Sequence, residues 1–513
     1  MLIAYSKVTI KKSNANQQRS NPLLANHPSP TIVWFRQDLR LADNPAFSKA
    51  CQKGSVVPVY ILDEQTAGPW VLGGASRWWL HQALQSLDQK LGEKLNIFSG
   101  DPYEILLSLV KEYNASAVFW NRCYEPWRIK RDGQLKTQLR SAKLDNLSVE
   151  VESFNGSLLW EPWQILKKDQ TAYKVFTPYF RRGCLPHSEP RKPLSEPENY
   201  KLCKRSKCSL SIDKLDLLPK INWYGEIARR WDVTEHAAQQ RLEQFISNGL
   251  QDYREGRNFP SKQNVSELSP YIHFGLISTN TIWHRARNEG SLFADLENID
   301  TFLSELGWRE FSYYLLYHFP ELPSENLQDK FDRFPWLSDT DDHLSAWQQG
   351  RTGYPLVDAG MRELYTTGYM HNRVRMVVGS FLVKNLLIHW QHGHQWFWDC
   401  LVDADLASNS ASWQWIAGCG ADAAPFFRIF NPVTQSKKFD PDGDYIRQYV
   451  PELANLPSKY IHEPWLAPED ILNSAGLQLG ADYPQPVVDI KASRQRALTA
   501  FKQTSSDGSG ASL

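Results

Sequence analysis

The sequence predicts two unlike halves, an N-terminal α/β doubly wound parallel sheet and an all-α C-terminal half. From Thr31 to Phe154 short β-rich runs alternate with helix-patterned stretches. Those runs are continuously apolar, as strands covered on both faces are. From Val233 to Leu472 the β-branched alternation vanishes and helical periodicity takes over.

The expected strands are TIVWF, VVPVYIL, LNIFSG, AVFWN and VEVESF. Between them Ala75 to Leu91 and Ile105 to Tyr113 carry apolar residues at helical spacing, and Arg128 to Leu144 reads as a polar, basic helix. Ligands of such sheets bind beyond the strand C-termini, but no GxGxxG follows the first strand, so the dinucleotide fingerprint is absent. Residues 156–225 are rich in Pro, Ser and Lys and read as a long connector. Thr234 is placed to cap the helix that follows, with Glu235 in its first turn. The expected organisation is a loosely attached extension (1–30), the α/β part (31–155), the connector (156–225), the helical part (226–500) and a flexible tail (501–513).

Lys+Arg and Asp+Glu both count 57, so the formal net charge is zero. Bulk positive charge cannot hold a nucleic acid here; a local basic patch must. Seven cysteines (51, 123, 184, 203, 208, 400 and 419) contain no CxxC, and Cys203 and Cys208 lack a second pair to complete a metal site. No secretory signal is legible, and the apolar run from Met376 to Ile388 is broken by Lys384 and shorter than the ~20 residues of a membrane span. The expectation is a cytoplasmic monomer without membrane association. Twenty tryptophans beside four methionines are the anomaly.

Four segments of the helical half concentrate chemistry. In SELGWREF, Glu305, Trp308 and Arg309 share one helix face, which suits either a covered salt bridge or a site. In MHNRVRM, Asn372, Arg373, Arg375 and Met376 crowd a helix that then turns apolar. Arg375 points inward and needs a carboxylate, for which Asp403 and Asp405 are the available donors. The same two aspartates with Asn409 could suit a divalent metal, but DADLASN lacks the oxygen density and the glycine of a calcium loop. After Trp413 and Trp415, Arg428, Lys437 and Lys438 interleave with Phe426, Phe427 and Phe430. That is either a nucleic-acid surface or a solvated loop beside core rings.

Together these segments resemble the photolyase/cryptochrome family, and most closely its cyclobutane pyrimidine dimer (CPD) DNA photolyases. VWFRQDLRLADNPA resembles the family's N-terminal signature. SELGWREF, WQQGRTGYPLVDAGMRELYTTGYMHNRVRM and DADLASNSASWQWIAGCGADAAPFFRIFNP resemble its flavin-binding signatures. The similarity runs from about Thr31 to Ala500.

The resemblance implies FAD in the helical domain, with Tyr253, Arg257, Ser266, Leu268 and Ser269 at its phosphates and Val265 where many relatives carry a hydroxyl. It implies the ion pair Arg375–Asp403 beside the flavin, Asp405 as a further contact, and Asn409 facing N5. A nearby cation stabilises an anionic reduced flavin, and a neutral Asn409 adds no opposing charge. The implied substrate pocket is Glu305, Trp308, Asn372, Met376 and Trp415, with Arg257, Arg373 and Arg428 along the phosphates of UV-damaged DNA. Trp413, Trp390 and Trp336 match an electron-transfer chain. WNRCYEPWRIKRD resembles the antenna side, which puts Glu125 and Trp127 at a methenyltetrahydrofolate. No metal is implied.

Two subfamilies differ at named positions. The (6-4) photolyases carry histidines where Asn372 and Met376 stand, and plant cryptochromes carry Asp at the Asn409 position. The expectation is light-driven CPD repair, a carbon–carbon lyase reaction. The alternative is a blue-light photoreceptor without repair; a dark flavin oxidoreductase is disfavoured by the missing GxGxxG.

Overall fold

The computed structural model describes residues 29–142, 148–338, 340–423 and 427–506. The expected N-terminal extension, the tail beyond residue 506 and Phe426 therefore lie outside the described residues, except for Ser29 and Pro30 of the extension and the first residues of the tail.

Five parallel strands, β1 (Thr31–Phe35), β2 (Ser55–Leu62), β3 (Asn96–Ser99), β4 (Ala117–Asn121) and β5 (Glu150–Phe154), lie in the order β3-β2-β1-β4-β5. Helices α1 (Pro45–Lys53), α2 (Gly74–Lys90), α3 (Pro102–Tyr113) and α4 (Pro126–Ser141) connect them. The chain winds outward from β1 to β3 and returns to β4 on the other flank, so the topological switch lies between β1 and β4. All five residues of β1 and of β4 are buried, which explains their unbroken apolar sequence.

A sixth strand, β6 (Lys201–Leu202), pairs in parallel with Ser55 and Val56 of β2. It arises from the region read as connector, where two residues are too few to print a period in the sequence. That region is also better packed than its composition suggests. Phe176, Tyr179 and Phe180 are buried against the long helix Leu296–His318, in a stretch running into the π-turn Pro178–Cys184.

One sheet face, with Val33 and Phe35, shares a continuous core with Trp79, Tyr271, Phe274 and Leu306 of the helical half. The other, with Ile32 and Trp34, packs on Leu106, Leu109 and Leu135 of α3 and α4. The second large core lies wholly in the helical half, around Val377, Phe381, Trp390 and Trp413. No helix among the described residues is long and apolar enough to cross a membrane.

The segment after β1 joins the halves. Buried Arg40 donates to the carbonyls of Gly275 (2.9 Å), Gly156 (2.7 Å) and Asp43 (2.8 Å). Leu39 N–H donates to Phe274 O at 3.1 Å, and Leu41 N–H to Glu235 Oε1 at 2.9 Å. Gly275 adopts φ +72°, and a Cβ there would stand 2.2 Å from the Gln37 carbonyl, so the approach needs glycine. The RQDLRLADN motif is thus an architectural fastener. An Arg40→Met variant strands three buried carbonyls and is expected to lose about 3 kcal/mol or more of stability. Urea unfolding of the full chain measures it; a loss under 1 kcal/mol would contradict the fastener.

Candidate active site

An ion pair joins two segments of the helical half. Arg375 sits one turn into the helix Asn372–Ser380 and donates from Nη2 to Asp403 Oδ2 at 2.9 Å and Oδ1 at 3.2 Å. Its Nε donates to Met370 O at 2.7 Å, and its guanidinium carbon lies 5.3 Å from the centre of the Tyr369 ring. Burial works against the cation, but Asp403 and then Tyr369 outweigh it, so the Arg375 pKa is raised. Ser269 Oγ–H donates to Asp403 Oδ2 at 2.6 Å. Ser269 itself is exposed while the Asp403 side chain is 3% exposed. The Arg375 side chain is 25% exposed, so the pair is open to solvent on the Arg375 and Ser269 side.

The aspartates two residues apart separate in role. Asp403 takes Arg375. Asp405 caps the helix Leu406–Ala417 by accepting from Ser408 N–H at 2.8 Å, and it also accepts from Tyr313 O–H and faces His273 Nδ1 at 3.5 Å. Burial works against its charge, but His273, then Arg309 and the Tyr313 hydroxyl, outweigh it and hold its carboxyl well below the ordinary range. Asp405 does not pair with Arg375, because it stands at the start of the helix Leu406–Ala417 and is taken up by the cap and by Tyr313, while Asp403 lies in the turn before it. Arg309 likewise pairs with Glu310 (3.0 Å) and not with Glu305. No group of three metal-ligating side chains occurs among the described residues.

The backbone leading to Ser269 suits an anion. Glu267 adopts φ +48° and Leu268 a right-handed conformation, so neighbouring N–H groups turn towards one side. The Glu267 carboxylate is anchored by Arg230 at 2.6 Å and by Arg241, which fixes this turn between Ser266 and Ser269. Tyr253 is buried between Phe245 and Phe302, and its ring lies under Arg257 at 5.3 Å. Asn409, 8% exposed, donates from Nδ2 to His394 O at 3.0 Å, which fixes its amide. A turn with a left-handed residue and a nearby cation held by one carboxylate fit a phosphate-bearing flavin: Ser266, Leu268, Ser269 and Tyr253 would hold the phosphate side, Arg375, Asp403 and Asn409 the ring.

The helix Leu406–Ala417 packs on both Leu296–His318 and Asn372–Ser380 and so brings the pocket residues together. Trp308 and Trp415 are half-buried. Trp308 stacks on Phe176 at 3.9 Å between ring centres and 11° between planes, a partner invisible in the sequence because it lies 132 positions upstream. Glu305 forms an ion pair with Arg257. Met376 Sδ lies 3.8 Å from Arg373 Nη1, and Asn372 is exposed. Arg257 and Arg428 both depress the Arg373 pKa, after burial, so three cations gather on this side.

Trp390 is fully buried, Trp413 is 4% exposed and Trp336 is half-buried. A Cβ on Gly393 would stand 2.1 Å from the Trp413 ring, so glycine admits that indole against the helix bearing Trp390. His389 stands between Trp390 (5.7 Å) and Trp336 (5.1 Å), a linker the sequence reading missed.

In the crevice beyond β1 and β4, Glu125 accepts from Gln37 Nε2 at 3.1 Å, and Trp127 is covered by Arg128 (4.6 Å) and Arg131 (5.1 Å). About 50 Å³ remains among Trp34, Tyr60, Trp127 and Arg131.

Buried Glu363 links the arginine-bearing helix to the core by accepting from His371 N–H (3.1 Å) and Tyr445 O–H (2.6 Å). Burial pushes its pKa up to about 7. The folded state therefore holds a proton that the unfolded chain releases, and stability falls as pH rises from about 5 to 8. In Glu363→Gln that part of the slope should vanish; parallel unfolding-versus-pH curves for the two proteins would contradict the assignment.

Two family models match, "DNA photolyase" over residues 31–198 and "FAD binding domain of DNA photolyase" over residues 302–503. The chain is 48% identical over 478 residues to a deoxyribodipyrimidine photo-lyase of Agrobacterium fabrum, covering 92% of this chain and 98% of that protein. It is 38% identical to cryptochrome-2 of Arabidopsis thaliana, covering 92% and 79%. Among solved structures, a bacterial class III photolyase from Agrobacterium tumefaciens superposes with a TM-score of 0.89 at 46% identity, covering 95% of this chain and all of that one. With its two-part architecture, its buried Arg375–Asp403 pair and these similarities, the chain is a member of the photolyase/cryptochrome family.

Proposed function

We propose that the protein repairs cyclobutane pyrimidine dimers in DNA under blue or near-ultraviolet light. The observation that carries this reading is the largely buried Arg375–Asp403 pair in a helical half that also holds the half-exposed indoles Trp308 and Trp415 on helices packed together. Bound reduced FAD supplies the chemistry: one electron lent to the dimer, scission of its two cyclobutane C–C bonds, and return of the electron, with no net redox change.

The chain's own residues do the rest. Arg257, Arg373 and Arg428 attract the damaged strand locally, as an overall charge of zero requires. Trp308, pinned by Phe176, and Trp415 offer flat apolar faces to a lesion that can be reached only outside the helical stack. Glu305 and Asn372 hydrogen-bond the pyrimidine edges; since Arg257 holds Glu305 beforehand, lesion binding redistributes that pair. Neutral Asn409 and cationic Arg375 tolerate a negative flavin, and Asp403 keeps Arg375 in place. Asn372 and Met376 offer no proton donor of the kind a (6-4) lesion needs, which favours the cyclobutane dimer. Trp413, Trp390 and Trp336 lead from the buried site towards solvent and would recharge the flavin. No step here requires an antenna at Trp127.

The test is illumination of the FAD-loaded, chemically reduced protein with a thymine-dimer oligonucleotide, following recovery of thymine absorbance. Recovery is expected; an intact lesion under full reduction would favour the photoreceptor reading. Glu305→Ala should retain FAD yet bind the lesion about 10-fold more weakly. Unchanged affinity and unchanged yield per photon would remove Glu305 from the site.

A further inference from the structure

Arg373 is held by neutral groups throughout. Its Nη2 donates to Asn258 Oδ1, its Nη1 lies 3.8 Å from Met376 Sδ, and its guanidinium carbon lies 4.5 Å from the centre of the Phe439 ring. Among the described residues no carboxylate pairs with it, whereas Arg257 has Glu305 and Arg375 has Asp403. Its buried Nε has no partner at all. The Asn258 amide is oriented from behind: Nδ2 donates to the carbonyls of Glu255 (3.1 Å) and Arg254 (3.3 Å), leaving the oxygen as the end that faces the guanidinium.

We propose that Asn258 is a positioning residue for the DNA backbone, aiming Arg373 at a phosphodiester while leaving its positive charge uncancelled. The proposal rests on the DNA-repair reading above. A carboxylate at position 258 would grip the guanidinium harder, but it would neutralise the cation and repel the incoming phosphate. The amide supplies direction without charge. Arg257 and Arg428 stand close enough to press on Arg373 electrostatically, and an entering anion relieves that crowding. Because Arg257 and Asn258 are adjacent, one short segment contacts Glu305 on the lesion side and Arg373 on the phosphate side. That coupling fixes the register of the strand relative to the pocket.

The test uses the FAD-loaded full chain, a thymine-dimer duplex and fluorescence anisotropy over a range of salt concentrations, with Asn258→Ala and Asn258→Asp as variants. Flavin absorption and thermal melting report their folding. Asn258→Ala should weaken binding about 5-fold, the worth of one hydrogen bond. Asn258→Asp should weaken it further and lower the slope of log K against log salt by about one, the loss of one phosphate contact. An amide that merely braces the fold would leave that slope unchanged, so a wild-type slope in Asn258→Asp, or binding tighter than in Asn258→Ala, overturns the proposal. If the wild-type protein itself ignores dimer DNA, the repair reading falls and takes this proposal with it.

Discussion

The ion pair of Arg375 with the buried Asp403 carboxylate is the constraint on which the site depends. Removing Arg375 from water is costly, and Asp403 together with the Met370 carbonyl offsets that cost without consuming the whole cation. Asp403 in turn accepts from Ser269, an exposed residue. One pair therefore ties together three segments far apart in sequence. The same pair sets the electrostatics: a cation is present where an electron-rich ring would lie, and its counter-charge stands to one side.

Around this pair, charge and aromatic surface are kept apart. Arg257, Arg373 and Arg428 gather on one side, Trp308 and Trp415 are half-exposed, and Trp390 and Trp413 are buried. The separation explains how a chain with equal numbers of acidic and basic residues can handle DNA, since only the local arrangement matters. It also explains why the flat pocket walls do not collapse. Trp308 is braced by Phe176, itself buried in a π-stack with Phe180, so the indole has little freedom to fold inward.

Much of this was legible in the sequence. Continuous apolar runs marked β1, β2 and β4, which are covered on both faces, while β5 at the sheet edge alternates; the need of an inward arginine for a carboxylate pointed to Asp403 and Asp405, of which Asp403 is the partner. What failed did so for physical reasons. Asp403 and Asp405 read alike in composition, but the helix Leu406–Ala417 begins at Asp405 and takes it as its cap, leaving Asp403 in the preceding turn to Arg375. Glu305 and Arg309 share a helix face, yet Arg309 is drawn to Glu310 and Glu305 to Arg257 across a loop. Phe176, Asn258 and His389 act through contacts made only by folding, and a polar, proline-rich connector gave no period by which to find β6. The crevice at the sheet's switch point was the natural place for a second chromophore; there the tryptophan that would stack a ligand is already covered by arginines.

The central claim is electrostatic: Arg375 makes an electron-rich flavin tolerable in a dry site. The direct measurement is the reduction potential of FAD bound to the wild-type protein, to Arg375→Lys and to Arg375→Met. The account predicts that the charge-preserving lysine stays near the wild-type potential while methionine makes the flavin harder to reduce. Equal potentials in all three proteins would contradict it.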